Sequence, residues 1–311
     1  MTNMIETLLL ALAPIALLIA AGAWCRRRQF LGAAFWPNAE KLGYYVLLPS
    51  LFLHGLATAR LDGVPVGTMA LTLVCSTFAV AALLVGLRAR LPVDGPAFTS
   101  VFQGGIRFNN YVGVSAVAGL FGAQGIALAA VANAAIVPTV NILCVLVFAR
   151  YGSGGKPSWR AIARQLALNP LVVACALGIV LQATRTGLPR LAEPSLRALG
   201  QASLPLGLLC VGAAVEFASV RRWAHAIGVA SAAKFVLMPL ATLAACHAFG
   251  LRGPAAAAAL LFQVLPTSSS SYIMARQMGG DAPLMAGIVA VQTVLAGVLM
   301  PLCLLGSMGW M

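Results

Sequence analysis

The segment VFQGGIRFNNYVGVSAVAGLFG, residues Val101 to Gly122, is apolar except at its centre, where Arg107, Asn109 and Asn110 lie between glycines. An apolar helix of this length can cross about 30 Å of hydrocarbon, and polar side chains at that depth are expensive. The segment therefore predicts a membrane-spanning helix that is interrupted at a functional position.

The rest of the chain is also strongly apolar. Its 311 residues are 61% hydrophobic and 9% charged, with a mean hydropathy of +0.94. Apolar runs of about twenty residues recur, without the alternation that spanning strands require. We predict an all-α membrane protein of ten transmembrane helices, near residues 5–24, 38–57, 64–87, 97–121, 124–149, 165–183, 199–215, 224–249, 254–278 and 282–307. We expect the first run to be a retained helix, because it lacks a basic leader and a cleavage site.

The net charge of +13 reflects membrane topology rather than nucleic-acid binding, because the basic residues lie in short connections between spans. With the N-terminus outside, one side of the membrane collects thirteen of them and the other side five. The thirteen are Arg26, Arg27, Arg28, Lys41, Arg88, Arg90, Arg150, Lys156, Arg160, Arg164, Arg221, Arg222 and Arg276; the five are Arg60, Arg185, Arg190, Arg197 and Arg252. The positive-inside rule then places both termini outside.

Cysteine and histidine spacing supports neither a disulfide framework nor a metal site. The seven cysteines are scattered through apolar helices without Cys-x-x-Cys spacing, and the three histidines lack ligand spacing. We expect no catalytic residues, no metal and no cofactor, and His54 is expected to be a polar tip at the membrane interface.

Short matches at a fixed offset indicate an internal duplication. Pro14 and Pro170 are 156 positions apart in LALAP and LALNP, and Pro49 and Pro205 have the same separation. The pair Phe-Gln recurs at 102–103 and 262–263. Five spans in each half would insert the second copy upside down, an arrangement typical of secondary transporters. We predict a first five-helix repeat at 1–150, a cytoplasmic linker at 151–164 and an inverted second repeat at 165–311.

The second copy has a matching interruption, LFQVLPTSSSSYIMARQMGG, residues Leu261 to Gly280. We expect the second copy to break at Pro266 and the first where it carries Arg107, Asn109 and Asn110. Pro266 lacks an amide hydrogen, and Gly104 and Gly105 weaken helix continuity in the first copy. Broken helices at membrane depth persist only where protein or a water-filled cavity surrounds them. The alternative is a simple proline kink, with the serines bonded to carbonyls one turn back.

Arg107 lies about ten residues, or about 15 Å, from either end of its predicted span. No aspartate or glutamate has comparable depth. The arginine therefore either attracts an anionic substrate, or bonds carbonyls freed by the break, or lies closer to the surface than the span predicts. Lys234 has similar depth, but its charge can be relieved by deprotonation. Asn133, Asn141, Gln263 and Gln292 either bond neighbouring helices or support the broken segments and a coupling ion.

At these residues the sequence resembles bacterial members of the auxin efflux carrier family. IRFNNYVGVSAVAGLFG resembles the family's fourth helix, and LPTSSSSYIMARQMGGD resembles its ninth. The resemblance implies a fold similar to bile-acid sodium symporters, in which helices 4 and 9 cross at their breaks. It also implies a scaffold of spans 1, 2, 6 and 7, a transport unit of the other spans, and organic anions as substrates, from auxin in plants to malonate or malate in bacteria. Unlike plant members, the fourth span has no proline at its break.

These observations predict a secondary transporter of small organic carboxylates in the cell inner membrane, working by alternating access. The expected substrate-binding residues are Arg107, Asn109, Asn110, Tyr111, Pro266, Thr267, Ser268, Ser269, Ser270 and Ser271. The alternatives are a membrane-embedded enzyme, which would need an activated nucleophile, and a receptor without flux. Coupling is to sodium or protons, or transport follows the anion gradient and the membrane potential; we expect no carboxylate proton relay. The partners are the substrate and the lipid bilayer, and the one protein partner considered is a second copy of the chain.

Overall fold

In a computed structural model of the chain, the described residues are 2–58, 65–153, 160, 164, 167–168, 170–214, 220–268 and 270–307. Helices dominate this part of the chain, and no strand occurs in it. The helices are α1 (Thr2–Arg27), α2 (Phe35–Leu42), α3 (Leu48–Thr58), α4 (Val66–Gly86), α5 (Gly95–Ile106), α6 (Asn110–Tyr151), α7 (Pro170–Ala183), α8 (Glu193–Ala213), α9 (Ala224–Ala232), α10 (Met238–Phe249), α11 (Gly253–Gln263), α12 (Ser270–Met278) and α13 (Ala282–Ser307). The predicted all-α class is confirmed for these residues.

Several helical stretches are long and apolar enough to cross a membrane. Within the described ranges they are Val66–Gly86, Gly95–Tyr151, Glu193–Ala213, Ala224–Phe249 and Ala282–Leu305; shorter apolar helices cover Val173–Ala183 and Gly253–Gln263. The stretch Gly95–Tyr151 has 57 residues, far more than one crossing needs, and it contains the first interruption. The division into ten spans, the two inverted repeats and the domain bounds stay predictions. Most of the predicted linker 151–164 lies outside the described residues.

The fourth predicted span is broken at its polar centre, directly after Ile106. α5 runs through Gly104 and Gly105 and ends at Ile106, after which Arg107 is extended (φ −73°, ψ 160°). The glycines serve close packing instead: a Cβ on Gly104 would lie 2.7 Å from Cγ2 of Ile288. The break therefore lies at the expected polar residues, and the two glycines remain inside the helix that precedes it.

The ninth predicted span is broken at its proline, as expected. α11 ends at Gln263, Val264 to Ser268 are non-helical, and α12 resumes at Ser270. Ser269 lies outside the described residues. Gly122 causes a third interruption inside α6, where φ is 56° and ψ −134°. Only glycine adopts this conformation without strain, and the position agrees with the predicted boundary between two spans.

Two single turns of π-helix interrupt other apolar segments. Gly43–Leu47 joins α2 to α3, and Ala233–Leu237, which contains Lys234, joins α9 to α10. A π turn shifts the backbone hydrogen-bond pattern by one residue, and such turns are frequent at functional sites. The apolar pattern of the sequence continues through both turns.

The chain divides into two compact units. Unit 1 consists of Met1–Val64, Asn110–Ala134 and Ala167–Ala213, and unit 2 of Pro65–Asn109, Ala135–Leu166 and Ala214–Met311. Unit 1 therefore holds the predicted spans 1, 2, 6 and 7, together with 110–134, which the resemblance assigned to the transport unit. In unit 1, α8 packs against α1 and α3, around a core that includes Phe52 and Leu56.

Unit 2 contains both broken segments, Arg107–Asn109 and Val264–Ser268. α5 packs against α4, α9 and α13, and α11 packs against α4 and α13. Phe98, Phe102 and Phe262 are fully buried in this unit. This apolar packing holds α5 and α11, the helices that end at the two breaks.

Candidate functional site

The candidate site is formed where the two non-helical segments of unit 2 meet. The backbone N–H of Asn109 donates to the carbonyl oxygen of Pro266 at 2.8 Å. Each segment thereby satisfies one backbone group of the other, as buried polar groups require. Both residues are buried, so this bond is shielded from bulk solvent. The two predicted breaks are thus brought into direct contact.

Gln292 connects the two broken helices a second time. Its Oε1 accepts from the backbone N–H of Thr267 at 2.9 Å, and its Nε2 donates to the carbonyl oxygen of Gly104 at 3.0 Å. The side chain is fully buried on α13. One amide therefore satisfies a backbone donor at one break and a backbone acceptor at the end of α5.

The guanidinium group of Arg107 is held by neutral acceptors. Nε donates to Ser271 Oγ at 2.9 Å, and Nη2 donates to Ser270 Oγ at 3.1 Å. Nη1 donates to Asn141 Oδ1 at 3.0 Å and contacts Met274 Sδ at 3.4 Å. These residues come from α6 and α12, so the arginine links the first break to the helix that follows the second.

The hydroxyl groups beside the arginine are also bonded to one another. Thr267 Oγ1 lies 3.1 Å from Ser271 Oγ, and Ser268 Oγ lies 2.6 Å from Ser270 Oγ. Ser268 Oγ also accepts from the backbone N–H of Ser270 at 3.1 Å. Thr267 and Ser271 are fully buried, whereas Ser268 and Ser270 are partly exposed. We call Arg107, Thr267, Ser268, Ser270 and Ser271 the hydroxyl cluster.

The positive charge of Arg107 is not balanced by a carboxylate within the described ranges. The two acidic side chains described in unit 2 cap helices instead: Asp94 Oδ1 accepts from Ala97 N–H, and Asp281 Oδ1 accepts from Leu284 N–H, both at 2.8 Å. In unit 1, Glu193 is 3.8 Å from His54 and 3.6 Å from Arg197. The site therefore has a positive potential that neutral groups position but do not cancel.

Gln263 and Lys234, two residues of unit 2, have different environments. Gln263 Nε2 donates to Ser76 Oγ and Thr77 Oγ1 at 2.9 Å each, and to the Leu73 carbonyl at 3.2 Å, so it fastens α11 to α4. Lys234 is fully buried in its π turn, and within the described part of the chain its Nζ has no hydrogen-bond partner. An unpartnered amine in this position is costly, and the packing alone does not account for it.

Three predicted site residues belong to unit 1. Asn110 begins α6, directly after the first break. The Tyr111 side chain packs so closely on two glycines that a Cβ at Gly207 would overlap its ring and a Cβ at Gly43 its hydroxyl. Asn133 Nδ2 donates to the carbonyl oxygen of Ala129 at 2.8 Å within its own helix. Where these side chains stand with respect to a substrate stays a prediction.

Sequence reasoning missed Gln103, which lies in the α5 turn before the break. It is fully buried, and its Nε2 donates to the carbonyl oxygen of Ser271 at 3.4 Å. The repeated Phe-Gln pair was the available signal, because Gln263 occupies the corresponding position before the second break. Among the described residues no group of three His, Cys, Asp or Glu side chains could hold a metal ion.

Comparison with known proteins supports the transport interpretation. The model of a family described as membrane transport protein matches residues 7–304. No curated protein matches the chain significantly. The family match covers nearly the whole sequence, and it agrees with the resemblance to auxin efflux carriers.

Proposed function

Because the chain belongs to the membrane transport protein family, we propose that this multi-pass membrane protein is a secondary active transporter of small organic anions. The substrate binds where the two broken segments meet, and alternating access exposes this site to each side of the membrane in turn. The proposal includes two inverted five-helix repeats, a cell inner membrane location and both termini in the periplasm.

The observation that carries this proposal is the setting of Arg107. A cation at the centre of a span costs about 2.5–3.5 kcal/mol on insertion scales, so it persists where a cavity, a partner or a ligand compensates it. Its described partners are two hydroxyls, an amide oxygen and a thioether, all of them neutral. A carboxylate substrate would supply the missing negative charge.

Coupling is proposed to proceed without a carboxylate proton relay. Proton-driven carriers often use a titratable carboxylate at the midplane, whereas the described carboxylates of unit 2 cap helix ends. Two driving forces fit such a site: a sodium gradient, or the anion gradient together with the membrane potential. Glu216, the other acidic residue considered, lies outside the described residues.

Transport of labelled malonate, malate and indole-3-acetate into proteoliposomes tests the proposal. We expect saturable uptake of at least one carboxylate by the wild-type protein, and loss of that uptake in Arg107→Gln. Arg276→Gln is the matched control, because Arg276 is exposed on α12 and its guanidinium lies over the Tyr272 ring, outside the hydroxyl cluster.

Sodium and pH gradients imposed separately, at fixed membrane potential, identify the driving force. Uptake that depends on an inward proton gradient and is abolished by Asp281→Asn would contradict the absence of a carboxylate relay. Failure of every carboxylate to enter would refute the proposed substrate class. Chemical conversion of a substrate by purified protein without any gradient would favour the enzyme alternative.

A further inference from the structure

Hydrogen-bond directions in the hydroxyl cluster follow from the chemistry of arginine. A guanidinium group has five N–H donors and no acceptor, so Ser270 Oγ and Ser271 Oγ must accept from it. Their own hydrogens must then point away from the positive charge. Ser271 and Ser270 are then free to donate to Thr267 and Ser268, the hydroxyls that lie 3.1 and 2.6 Å away.

The hydroxyl groups of the cluster have more hydrogens than their mutual hydrogen bonds use. The four hydroxyls carry four hydrogens, and the two hydroxyl pairs use one each. Within the part of the chain that the structure describes, the other two hydrogens have no acceptor. Chains in which each hydroxyl accepts from one neighbour and donates to the next are cooperatively strengthened, which leaves the free hydrogens on Thr267 and Ser268. Ser268 Oγ also accepts from the Ser270 N–H, and its own hydrogen is still available for donation.

We propose that Arg107 acts as a positioning residue that directs two hydroxyl relays, Arg107–Ser271–Thr267 and Arg107–Ser270–Ser268, so that the site offers O–H donors to an oxyanion. The inference rests on the proposed function and states how its substrate is bound: hydroxyl hydrogens bind the carboxylate, and the guanidinium group stabilises its charge without contacting it directly. Neutral amides, which bring their own donors, and cations, which arginine repels, are disfavoured at the same place.

A direct ion pair is the alternative that the contacts make less favourable. Four of the five N–H groups of Arg107 contact Ser271, Ser270, Asn141 and Met274 among the described residues. A bidentate arginine–carboxylate pair needs two parallel N–H groups. Binding in that manner would require at least one of the present bonds to break.

Binding of labelled malonate to the purified protein, with malonamide as the neutral competitor of similar shape, tests the inference. We expect malonamide to compete at least tenfold more weakly than malonate. Thr267→Val should raise the Kd for malonate about tenfold, the effect of one hydrogen bond to a charged group. Thr293→Val is the matched control: that hydroxyl is also buried, but it donates to the Val289 carbonyl of its own helix at 2.7 Å, so the Kd should stay within twofold.

Arg107→Lys separates the relay from a direct ion pair. Lysine keeps the charge but is a point donor that cannot reproduce the fork to Ser270 and Ser271. The relay predicts that Arg107→Lys weakens malonate binding about tenfold, and that adding Thr267→Val weakens it little further. Each variant is compared at equal monodispersity and thermal stability, so that misfolding is recognised.

The outcomes distinguish the inference from the function on which it rests. Wild-type affinity in Arg107→Lys, unchanged affinity in Thr267→Val, or equal competition by malonamide and malonate would overturn the relay and leave anion transport standing. If the wild-type protein neither binds malonate nor transports any carboxylate of the uptake panel, the proposed substrate class fails, and the relay fails with it.

Discussion

Replacing Gln292 by methionine should destabilise the protein substantially, although the two side chains have similar volumes. The glutamine makes two hydrogen bonds of 2.9 and 3.0 Å to backbone groups, and it is fully buried. Methionine leaves the Thr267 N–H and the Gly104 carbonyl without these partners. Each buried group left unsatisfied costs about 1–3 kcal/mol, so the expected loss is about 2–6 kcal/mol of the free energy of unfolding.

Denaturant unfolding in detergent micelles measures this loss, and amide hydrogen exchange locates it. The Thr267 amide should exchange faster in Gln292→Met, because its acceptor has been removed. Thr293→Val, at the next position of the same helix, is the control; it should cost less than about 1 kcal/mol, since the Val289 carbonyl keeps its helical bond.

A loss below about 1 kcal/mol in Gln292→Met would refute this reasoning. So would a large loss accompanied by unchanged exchange at Thr267, because the destabilisation would then arise elsewhere. A loss equal to that of the control would show that the two backbone groups find water or other partners when the amide is removed.

Two further substitutions test the packing of unit 2. Lys234→Met should raise the free energy of unfolding by about 1–3 kcal/mol, because it removes a buried Nζ without a described partner. Lower thermal stability of the variant would show instead that a ligand or a partner binds the amine. Asp94→Ala should lower the free energy of unfolding by about 1 kcal/mol, because it removes the N-cap of α5. Asp94→Asn should retain most of that stability, since asparagine is also a good N-cap residue. Equal losses of stability in the two variants would contradict a capping role.

Apolar run length predicted the helical segments well. The predicted span 224–249 coincides with Ala224–Phe249, and the predicted span 38–57 lies within the helical stretch from Phe35 to Thr58. Hydrocarbon forces each crossing to satisfy its own backbone, so composition alone carries this information. The π turns at Gly43 and Ala233 were not predictable, since they shift hydrogen bonds without changing the apolar pattern.

The two breaks have different local signals in the sequence. Pro266 removes a backbone donor, and it lies within the non-helical segment that follows α11. Gly104 and Gly105 only lower helix propensity, and tight packing against Ile288 and Leu84 accounts for them without a break. A weak propensity is readily overridden by tertiary contacts, whereas a missing N–H is not.

The residue types of the site were easier to predict from the sequence than the contacts between them. Arg107 and the serine run stood out because they are polar within apolar spans. Their contacts join residues more than 160 positions apart, for example Arg107 with Ser271, and no local pattern encodes such a pairing. Gln292 was named only as a supporting residue, because its double role depends on the backbone geometry of two other segments.

Apart from the bonds that Arg107 donates to Ser270 and Ser271, the breaks are held together by neutral groups, and this has an electrostatic consequence. These other bonds come from the amide side chains of Gln103 and Gln292 and from the backbone of Asn109 and Pro266. These groups satisfy backbone donors and acceptors without adding formal charge. Arg107 is then the one formal charge described at the two non-helical segments, and its effect is stronger in a low-dielectric site than in water. Preference for an anion is therefore expected to depend on one residue, whereas the integrity of the breaks depends on several others.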